Sequence, residues 1–159
     1  VVADASPLIG LAAAGAFDLL RRLYGQVTIT ESVRDEVLAG GDRPGARELA
    51  EAIRAGWIIV VDAPWDARVF PDLGTGEAST LCFAMGHPDS CLVLMDDLCG
   101  RAHARAIGLV ISGLAGVLIA ARQDDYVDNV RTLLEKLEAF NFRLSREVVD
   151  TILELAGES

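Results

Sequence analysis

The chain alternates short apolar runs with longer stretches in which apolar residues recur every three or four positions. Short runs bounded by polar turns are typical of buried parallel strands, and the longer spacing is typical of amphipathic helices. The pattern predicts five strands, at residues 1–3, 27–30, 57–61, 92–95 and 109–111. Because helical patterns separate them, the sequence indicates an α/β fold whose parallel sheet is joined by right-handed crossovers.

Turn and capping residues mark where these elements end. Thr30 or Ser32 is expected to cap one helix, and Ser112 to cap a small-residue helix that ends near Arg122. Residues 62–73 contain two prolines and are predicted to be irregular, as a mobile flap beside the site. On the helix that begins near Leu98, three small or apolar residues are expected to face inward: Ala102, Ala106 and Ile107.

Two further helical patterns follow the last strand. One has an apolar stripe from Tyr126 to Leu137, and Ser145 is predicted to cap the other. A length of 159 residues suits one domain. We therefore predict a single domain over residues 1–159, with residues 123–159 as a C-terminal helical extension that offers a surface for a dimer or a partner.

Composition excludes several classes of protein. No apolar stretch approaches the roughly 20 residues of a membrane span, and no leader resembling a signal peptide begins the sequence, so we expect no membrane association and a cytoplasmic location. Three cysteines without CxxC spacing argue against a disulfide framework and a structural zinc site. Two isolated histidines argue against a histidine-based centre, so the chemistry is expected to depend on carboxylates.

Acidic residues recur where a predicted strand gives way to a helix or where a helix begins. They are Asp4, Glu36, Glu77 and the adjacent pair Asp96 and Asp97. Each also fits an ordinary role as a helix-terminal or solvated acid. Right-handed crossovers nevertheless place all strand-to-helix junctions at one rim of a parallel sheet. The occurrence of acids at four positions along this rim favours a shared site.

Such a cluster needs a counter-charge. Two carboxylates about 5 Å apart repel by roughly 3 kcal/mol at an effective dielectric constant of 20. Oxygen ligands without His or Cys select hard cations, which predicts Mg²⁺ or Mn²⁺. These ions activate water for attack on phosphorus, so phosphodiester hydrolysis is the predicted reaction class.

The formal net charge of −10 argues against nucleic acid, because phosphate binding requires clustered Lys and Arg. Thirteen of the 14 basic residues are nevertheless Arg, which can bind phosphate through two parallel hydrogen bonds. Arg101 and Arg105 lie one helical turn apart just after the acidic pair. A local basic rim around an acidic pocket is therefore compatible with the sequence.

Five segments occur in a specific order and spacing. They are VVADASPLI, ITESVRDEVL, LGTGEASTLCFA, LVLMDDLCGRAHARAIGL and ISGLAGVLIAA, and a leucine-rich tail ending in LAGE follows them. This series resembles the PIN domains of VapC-type toxin ribonucleases, and is closest to a PIN-like branch of that family. The resemblance covers nearly the whole chain and implies a three-layer α/β/α fold with a Mg²⁺ or Mn²⁺ site that cleaves RNA.

Carried over by position, the resemblance implies Asp4 as the first metal-binding acid and Glu36 as the second family acid. Glu77 stands where many members have Asp, so its longer side chain would alter the spacing to the metal. The last acid is either Asp96 or Asp97. The offset from the strand favours Asp97, with Asp96 as a direct or water-mediated ligand.

Supporting residues and partners follow from the same resemblance. Ser6 and Ser112 would hydrogen-bond the ligands or a phosphate, although both are equally good helix caps, and Arg101 would support the site. Members of the toxin type usually form homodimers and are silenced by an antitoxin whose tail enters the acidic groove. An acidic pocket on a chain of net charge −10 suits such a basic partner segment.

Two other functions fit part of the pattern. A PIN-fold binding module that captures an antitoxin or RNA with little turnover is the alternative, and Glu77 together with the modest basic content favours it. A receiver-like phosphoacceptor would also place acids after a strand. The chain lacks the lysine that such a site needs after a late strand, because its only lysine, Lys136, lies in the helical tail.

Overall fold

The structure, a computed structural model, describes residues 1–159. The strands are β1 (Val2–Ala3), β2 (Val27–Thr30), β3 (Ile58–Val61), β4 (Leu92–Leu94) and β5 (Val110–Ser112). The helices are α1 (Ala5–Ala13), α2 (Leu19–Tyr24), α3 (Glu31–Leu38), α4 (Ala46–Ala55), α5 (Thr75–Met85), α6 (Leu98–Ala106), α7 (Leu114–Gln123), α8 (Val130–Ala139) and α9 (Arg146–Leu155). Residues 62–74 form neither helix nor strand, as the prolines predict.

The five strands form one sheet in the order β3-β2-β1-β4-β5, and every neighbouring pair is parallel. Helices cover both faces, so the predicted three-layer α/β/α fold is confirmed. The chain builds the sheet outward from β1 to β3 and then returns to place β4 on the other side of β1. The carboxyl ends of β1 and β4 therefore flank the point where the strand order reverses, which is where open α/β sheets bind their ligands.

Two apolar cores lie on opposite faces of the sheet. Successive residues of a strand point to opposite faces, so Ala3 and Leu94 belong to the larger core while Val2 and Val93 belong to the smaller one. Helices α5 and α6 cover the smaller core, and α1, α2, α7, α8 and α9 contribute to the larger one. This alternation fixes which residues of β1 and β4 face each core. It thereby also fixes where the residues that follow these two strands lie.

The C-terminal helices pack into the larger core. Val130 and Leu137 of α8 and Ile152 of α9 are buried there. Ser145 caps α9 as predicted, because its Oγ accepts a hydrogen bond from the Val148 N–H at 3.2 Å. The apolar stripe of α8 is thus buried within the subunit.

Two local predictions were wrong. On α6 the buried positions are Gly100 and Ala104, whereas Ala102, Ala106 and Ile107 are exposed. Gly100 lies against Met95 and Ala104 belongs to the smaller core, so the face of α6 that carries these two residues is turned towards the sheet. Ser112 does not cap α7 but ends strand β5; Gly113 precedes the helix, and α7 begins at Leu114.

None of the helices combines the length and the apolar composition that crossing a membrane requires.

Candidate active site

Asp4 lies at the carboxyl end of β1 and precedes α1. Its N–H donates to the carbonyl of Leu94 on β4 at 2.9 Å, so the main chain stays in the sheet up to this residue. The side chain is only 1% exposed, does not cap α1, and leaves Oδ1 without a hydrogen-bond donor. Because a buried unsatisfied carboxylate oxygen is costly, this atom is available for a ligand that brings positive charge.

A pair of buried hydroxyls ties α3 to α5. Thr30 Oγ1 accepts a hydrogen bond from the Val33 N–H at 3.3 Å and so caps α3. Ser79 Oγ donates its proton to the Gly76 carbonyl at 3.0 Å. Since a hydroxyl has one proton, Ser79 must accept the proton of Thr30 across their 2.7 Å separation. The pair thereby fixes the two helices that carry the second and third predicted acids.

Gly76 allows two carboxylates to approach the same point of the backbone. A Cβ atom at Gly76 would lie 2.7 Å from Glu36 Oε2 and 3.3 Å from Asp4 Oδ1, so these side chains flank the first turn of α5. The half-buried Glu77 follows directly, with its carboxylate turned towards Gly74. The GTGE segment therefore serves close packing of acids, which explains glycine there without a phosphate-binding loop.

Asp96 and Asp97 are neighbours in sequence but have different surroundings. Asp97 Oδ2 accepts a hydrogen bond from the Gly100 N–H at 2.7 Å and caps α6. Asp96 Oδ1 accepts one from the Leu114 N–H at 2.9 Å, at the start of α7, while Asp96 Oδ2 is buried without a partner. The geometry thus favours Asp96 as the fourth acid, whereas the offset from the strand in the sequence favoured Asp97.

The acids influence one another's protonation. The pKa of Asp4 is raised to about 7, mainly by burial and also by the carboxylates of Glu77, Glu36 and Asp96, while a hydrogen bond from the Ala5 backbone lowers it. Burial also raises the pKa of Glu36, with Glu77 as the second cause. The pKa of Asp96 is raised by burial, against a backbone hydrogen bond and Arg101, which lower it. Asp4, Glu36, Glu77 and Asp96 thus form one electrostatic group, which we call the acid cluster.

Two members of the acid cluster, Glu77 and Asp96, line a pocket of about 580 Å³, a size typical of ligand sites. Arg101 lies at its edge, where Nη1 donates to the carbonyl of Met95 at 2.9 Å. The sequence analysis missed Arg143, an exposed residue between α8 and α9, because only the packing of the tail brings it to this pocket. The lining includes the predicted supporting residues and both adjacent acids: Ser6, Ser112, Arg101, Asp96 and Asp97.

The donor set of the acid cluster fits a hard divalent cation. Asp4 and Asp96 each present a buried oxygen without a donor, and Glu36 and Glu77 add carboxylates in electrostatic contact with Asp4. Oxygen ligands of this kind suit Mg²⁺ or Mn²⁺. A cation there would also offset the cost of burying Asp4 and Asp96 and the repulsion that Glu77 and Glu36 exert on Asp4.

A second group of ionisable side chains was not anticipated. Cys99 Sγ donates to Asp72 Oδ2 at 3.0 Å, and His103 Nε2 lies 2.9 Å from the same oxygen. These hydrogen bonds lower the pKa of Asp72 to about 2. The available signal was the spacing of Cys99 and His103, which places both on one helical face, but Asp72 joins them only through the fold.

The family model DUF3368, described as a PIN domain, matches residues 1–158. The comparison with curated proteins gave no match, and neither did the comparison with solved structures. PIN domains are in general metal-dependent nucleases, which agrees with a pocket lined by carboxylates at the reversal point of a parallel sheet. Since the match spans nearly its whole length, the chain belongs to the PIN-domain family.

Proposed function

We propose that this protein is a metal-dependent ribonuclease of the toxin-antitoxin type, which hydrolyses RNA phosphodiesters with Mg²⁺ or Mn²⁺. The observation that carries the proposal is the pair of buried, unpartnered oxygens Asp4 Oδ1 and Asp96 Oδ2 within one acid cluster. A structural acid normally uses its buried oxygens in hydrogen bonds, as Asp97 does.

Two side chains of the acid cluster are rigid and two are adjustable, and both kinds would contribute to holding a cation. Asp4 is fixed by the sheet and Asp96 by the start of α7, so their free oxygens have little freedom to move. Glu36 and Glu77 are longer and more exposed, and they can adapt to the ion or orient water. The bound ion would supply an activated water and neutralise the leaving oxygen of the phosphodiester.

Two arginines give the acidic pocket a basic edge. Arg101 is anchored to the Met95 carbonyl beside Asp96, and Arg143 reaches the pocket from the tail. Guanidinium groups bind phosphate oxygens through two parallel hydrogen bonds, so they suit the phosphates that flank a scissile bond. Ser6 and Ser112 line the same wall and offer hydroxyls to the substrate. These groups support a nucleic-acid substrate despite the net charge of −10.

The direct test is cleavage of a panel of single-stranded and structured RNAs with Mn²⁺, with Mg²⁺ and with a chelator. We expect cleavage that requires the metal and is abolished in Asp4→Asn, while the matched variant Asp42→Asn in an exposed loop retains it. Asp4→Asn should remain folded by circular dichroism. Full cleavage by that variant would remove Asp4 from the site and contradict the proposal.

The toxin-antitoxin assignment extends the proposal to partners. The extended proposal includes a homodimer, an antitoxin with a basic segment that enters the acidic pocket, and a cytoplasmic location. The pocket's carboxylates favour an Arg or Lys side chain from such a segment. A basic peptide that lowers Mn²⁺-dependent cleavage and loses this effect in Asp96→Asn would support the antitoxin part.

A weak binding module remains the second candidate, and Glu77 is the residue that favours it. Glu77 lines the pocket and its carboxylate lies close to Gly74 at the start of α5, so its longer side chain would hold an ion at a different spacing from an aspartate there. In this case the protein would bind Mn²⁺ and RNA without cutting any member of the panel. The same experiment therefore separates the two functions.

A further inference from the structure

Three side chains outside the acid cluster bring their ligand atoms together. Asp72, Cys99 and His103 each offer one such atom, and these atoms lie within 4.8 Å of one another. The group combines a carboxylate, a thiol and an imidazole, which are the three ligand types of protein zinc sites. We call it the Asp-Cys-His group.

The scaffold holds two of these ligands in register. Cys99 and His103 are four residues apart on α6, so their side chains lie on one face, one turn apart. Asp72 comes from the irregular segment before α5 and reaches both, at 3.0 Å from Cys99 Sγ and 2.9 Å from His103 Nε2. Two distant segments of chain are thus joined at a single carboxylate.

Packing fixes the imidazole as well. Phe70, which is buried in the smaller core, meets the His103 ring edge-on with 5.1 Å between ring centroids. Phe70 precedes Asp72 by two residues, so the same short segment supplies both the support for the ring and the carboxylate. The ring keeps a side-chain exposure of 34%, which leaves Nε2 accessible to an ion from solvent.

A Cys-His hydrolytic pair does not explain the group. In such a pair the imidazole accepts the thiol proton, whereas here Cys99 donates to Asp72 and the carboxylate stands between the other two. A tetrahedral zinc ion requires ligand atoms roughly 3.4 to 3.7 Å apart. The present contacts of about 3 Å would have to open by about half an ångström, which exposed side chains can do by small rotations.

We propose that Asp72, Cys99 and His103 form a second metal site, selective for Zn²⁺, with water in the remaining position. Thiolate and imidazole ligands favour Zn²⁺ over Mg²⁺ and Mn²⁺, so the site is chemically distinct from the acid cluster. On binding, the Cys99 thiol would release its proton to solvent, and His103 would bind the ion through Nε2 as a neutral imidazole with its proton on Nδ1. The proposal does not depend on the proposed ribonuclease activity.

The position of the site suggests its effect. Asp72 lies two residues before Gly74, the first residue flanking α5, and α6 begins directly after Asp97. A zinc ion would therefore fasten the segment leading to Glu77 to the helix that follows Asp96.

Cobalt titration of the reduced protein tests the site, because Co²⁺ bound to a thiolate shows a charge-transfer band in the near ultraviolet. We expect this band to saturate at one ion per chain and to disappear when Zn²⁺ is added. It should be absent in Cys99→Ser, and the Co²⁺ affinity should fall about tenfold or more in His103→Gln. The matched controls Cys82→Ser and His87→Gln should keep the band.

Asp4→Asn separates this site from the acid cluster and should give the same band as the original protein. Zn²⁺ should also raise the melting temperature of Asp4→Asn, and should not raise that of Cys99→Ser combined with Asp4→Asn. A band that is missing in the original protein, that persists in Cys99→Ser, or that is lost in Cys82→Ser or Asp4→Asn would overturn the proposal. Circular dichroism confirms that each variant is folded.

Discussion

Asp4 and Asp96 each bury one carboxylate oxygen that receives no hydrogen bond, and the two residues follow neighbouring strands at the point where the strand order reverses. They are fixed independently, Asp4 by its main-chain hydrogen bond in the sheet and Asp96 by the Leu114 N–H at the start of α7. The charge of Asp96 contributes to the raised pKa of Asp4, so the two carboxylates act on one another.

Asp96→Asn should lower the affinity for Mn²⁺ by about tenfold or more, and Asp97→Asn should leave it nearly unchanged. Asn at position 96 keeps the cap on Leu114 but removes the charge, while Asn at position 97 is as good a helix cap as Asp. Isothermal titration calorimetry with Mn²⁺ measures both. The opposite ranking would restore Asp97 as the last metal-binding acid.

Without metal, Asp4→Asn should be more stable than the original protein at pH 8, by up to about 4 kcal/mol. The pKa of Asp4 is about 7 in the folded state against 3.8 for the unconstrained side chain, and each pKa unit corresponds to about 1.4 kcal/mol. A raised folded-state pKa contributes stability below pH 4 that is lost as pH rises through 7. The advantage of the variant should therefore vanish below pH 4.

Urea denaturation at several pH values measures this difference. Saturating Mn²⁺ should reverse it at pH 8, because the ion stabilises the ionised form of Asp4 and has lost a ligand in the variant. Equal stability of the two proteins at pH 8 without metal would show that Asp4 is not the strained group that its burial indicates.

Gly76→Ala should reduce Mn²⁺ affinity and cleavage by about tenfold or more while the protein stays folded. The new methyl group would lie 2.7 Å from Glu36 Oε2, so the flexible glutamate would be pushed away from Asp4. Gly86→Ala at the other end of α5 is the matched control, since its nearest contact would be an ordinary 3.4 Å. Equal metal affinity in the two variants would contradict the role given to Gly76.

Two adjacent hydroxyls on α5 should respond in opposite directions when removed. Ser79→Ala should lower the free energy of unfolding by about 1 to 3 kcal/mol, because it leaves the buried Thr30 hydroxyl without its acceptor. Thr80→Val should raise it by about 1 kcal/mol, because Thr80 Oγ1 is buried without a partner and valine has the same shape. Urea denaturation compares them, and equal losses would refute the hydrogen-bond assignment.

Arg143→Ala should weaken RNA binding without changing the affinity for Mn²⁺. If Arg143 contacts one phosphate, the slope of log affinity against log salt should fall by about 1. Fluorescence anisotropy in an Asp96→Asn background avoids cleavage during the measurement. Arg54→Ala is the control, since α4 contributes no residue to the acidic pocket. An unchanged slope would place Arg143 outside the RNA path.

The elements that the sequence predicted correctly depend on local sequence information. Strand β2 and the irregular segment 62–74 follow from β-branched residues and from prolines, and Ser145 caps α9 as its position predicts. The proximity of Asp4, Glu36 and Glu77 could be anticipated because strand-to-helix junctions of parallel sheets meet at one rim, whereas their metal-binding role stays a prediction. These features depend on a few neighbouring residues and on a general rule of topology.

The tertiary structure decided what depends on distant neighbours. Asp96 and Asp97 have the same side chain and adjacent positions, but their contacts differ. Asp96 accepts a hydrogen bond from Leu114 and keeps one buried oxygen free, whereas Asp97 caps α6 through the Gly100 N–H. Asp72 meets His103 for the same reason, because packing of two segments far apart in sequence joins them. Periodicity determines which faces are buried, but the atoms that complete a site come from elements whose relative position no local pattern encodes.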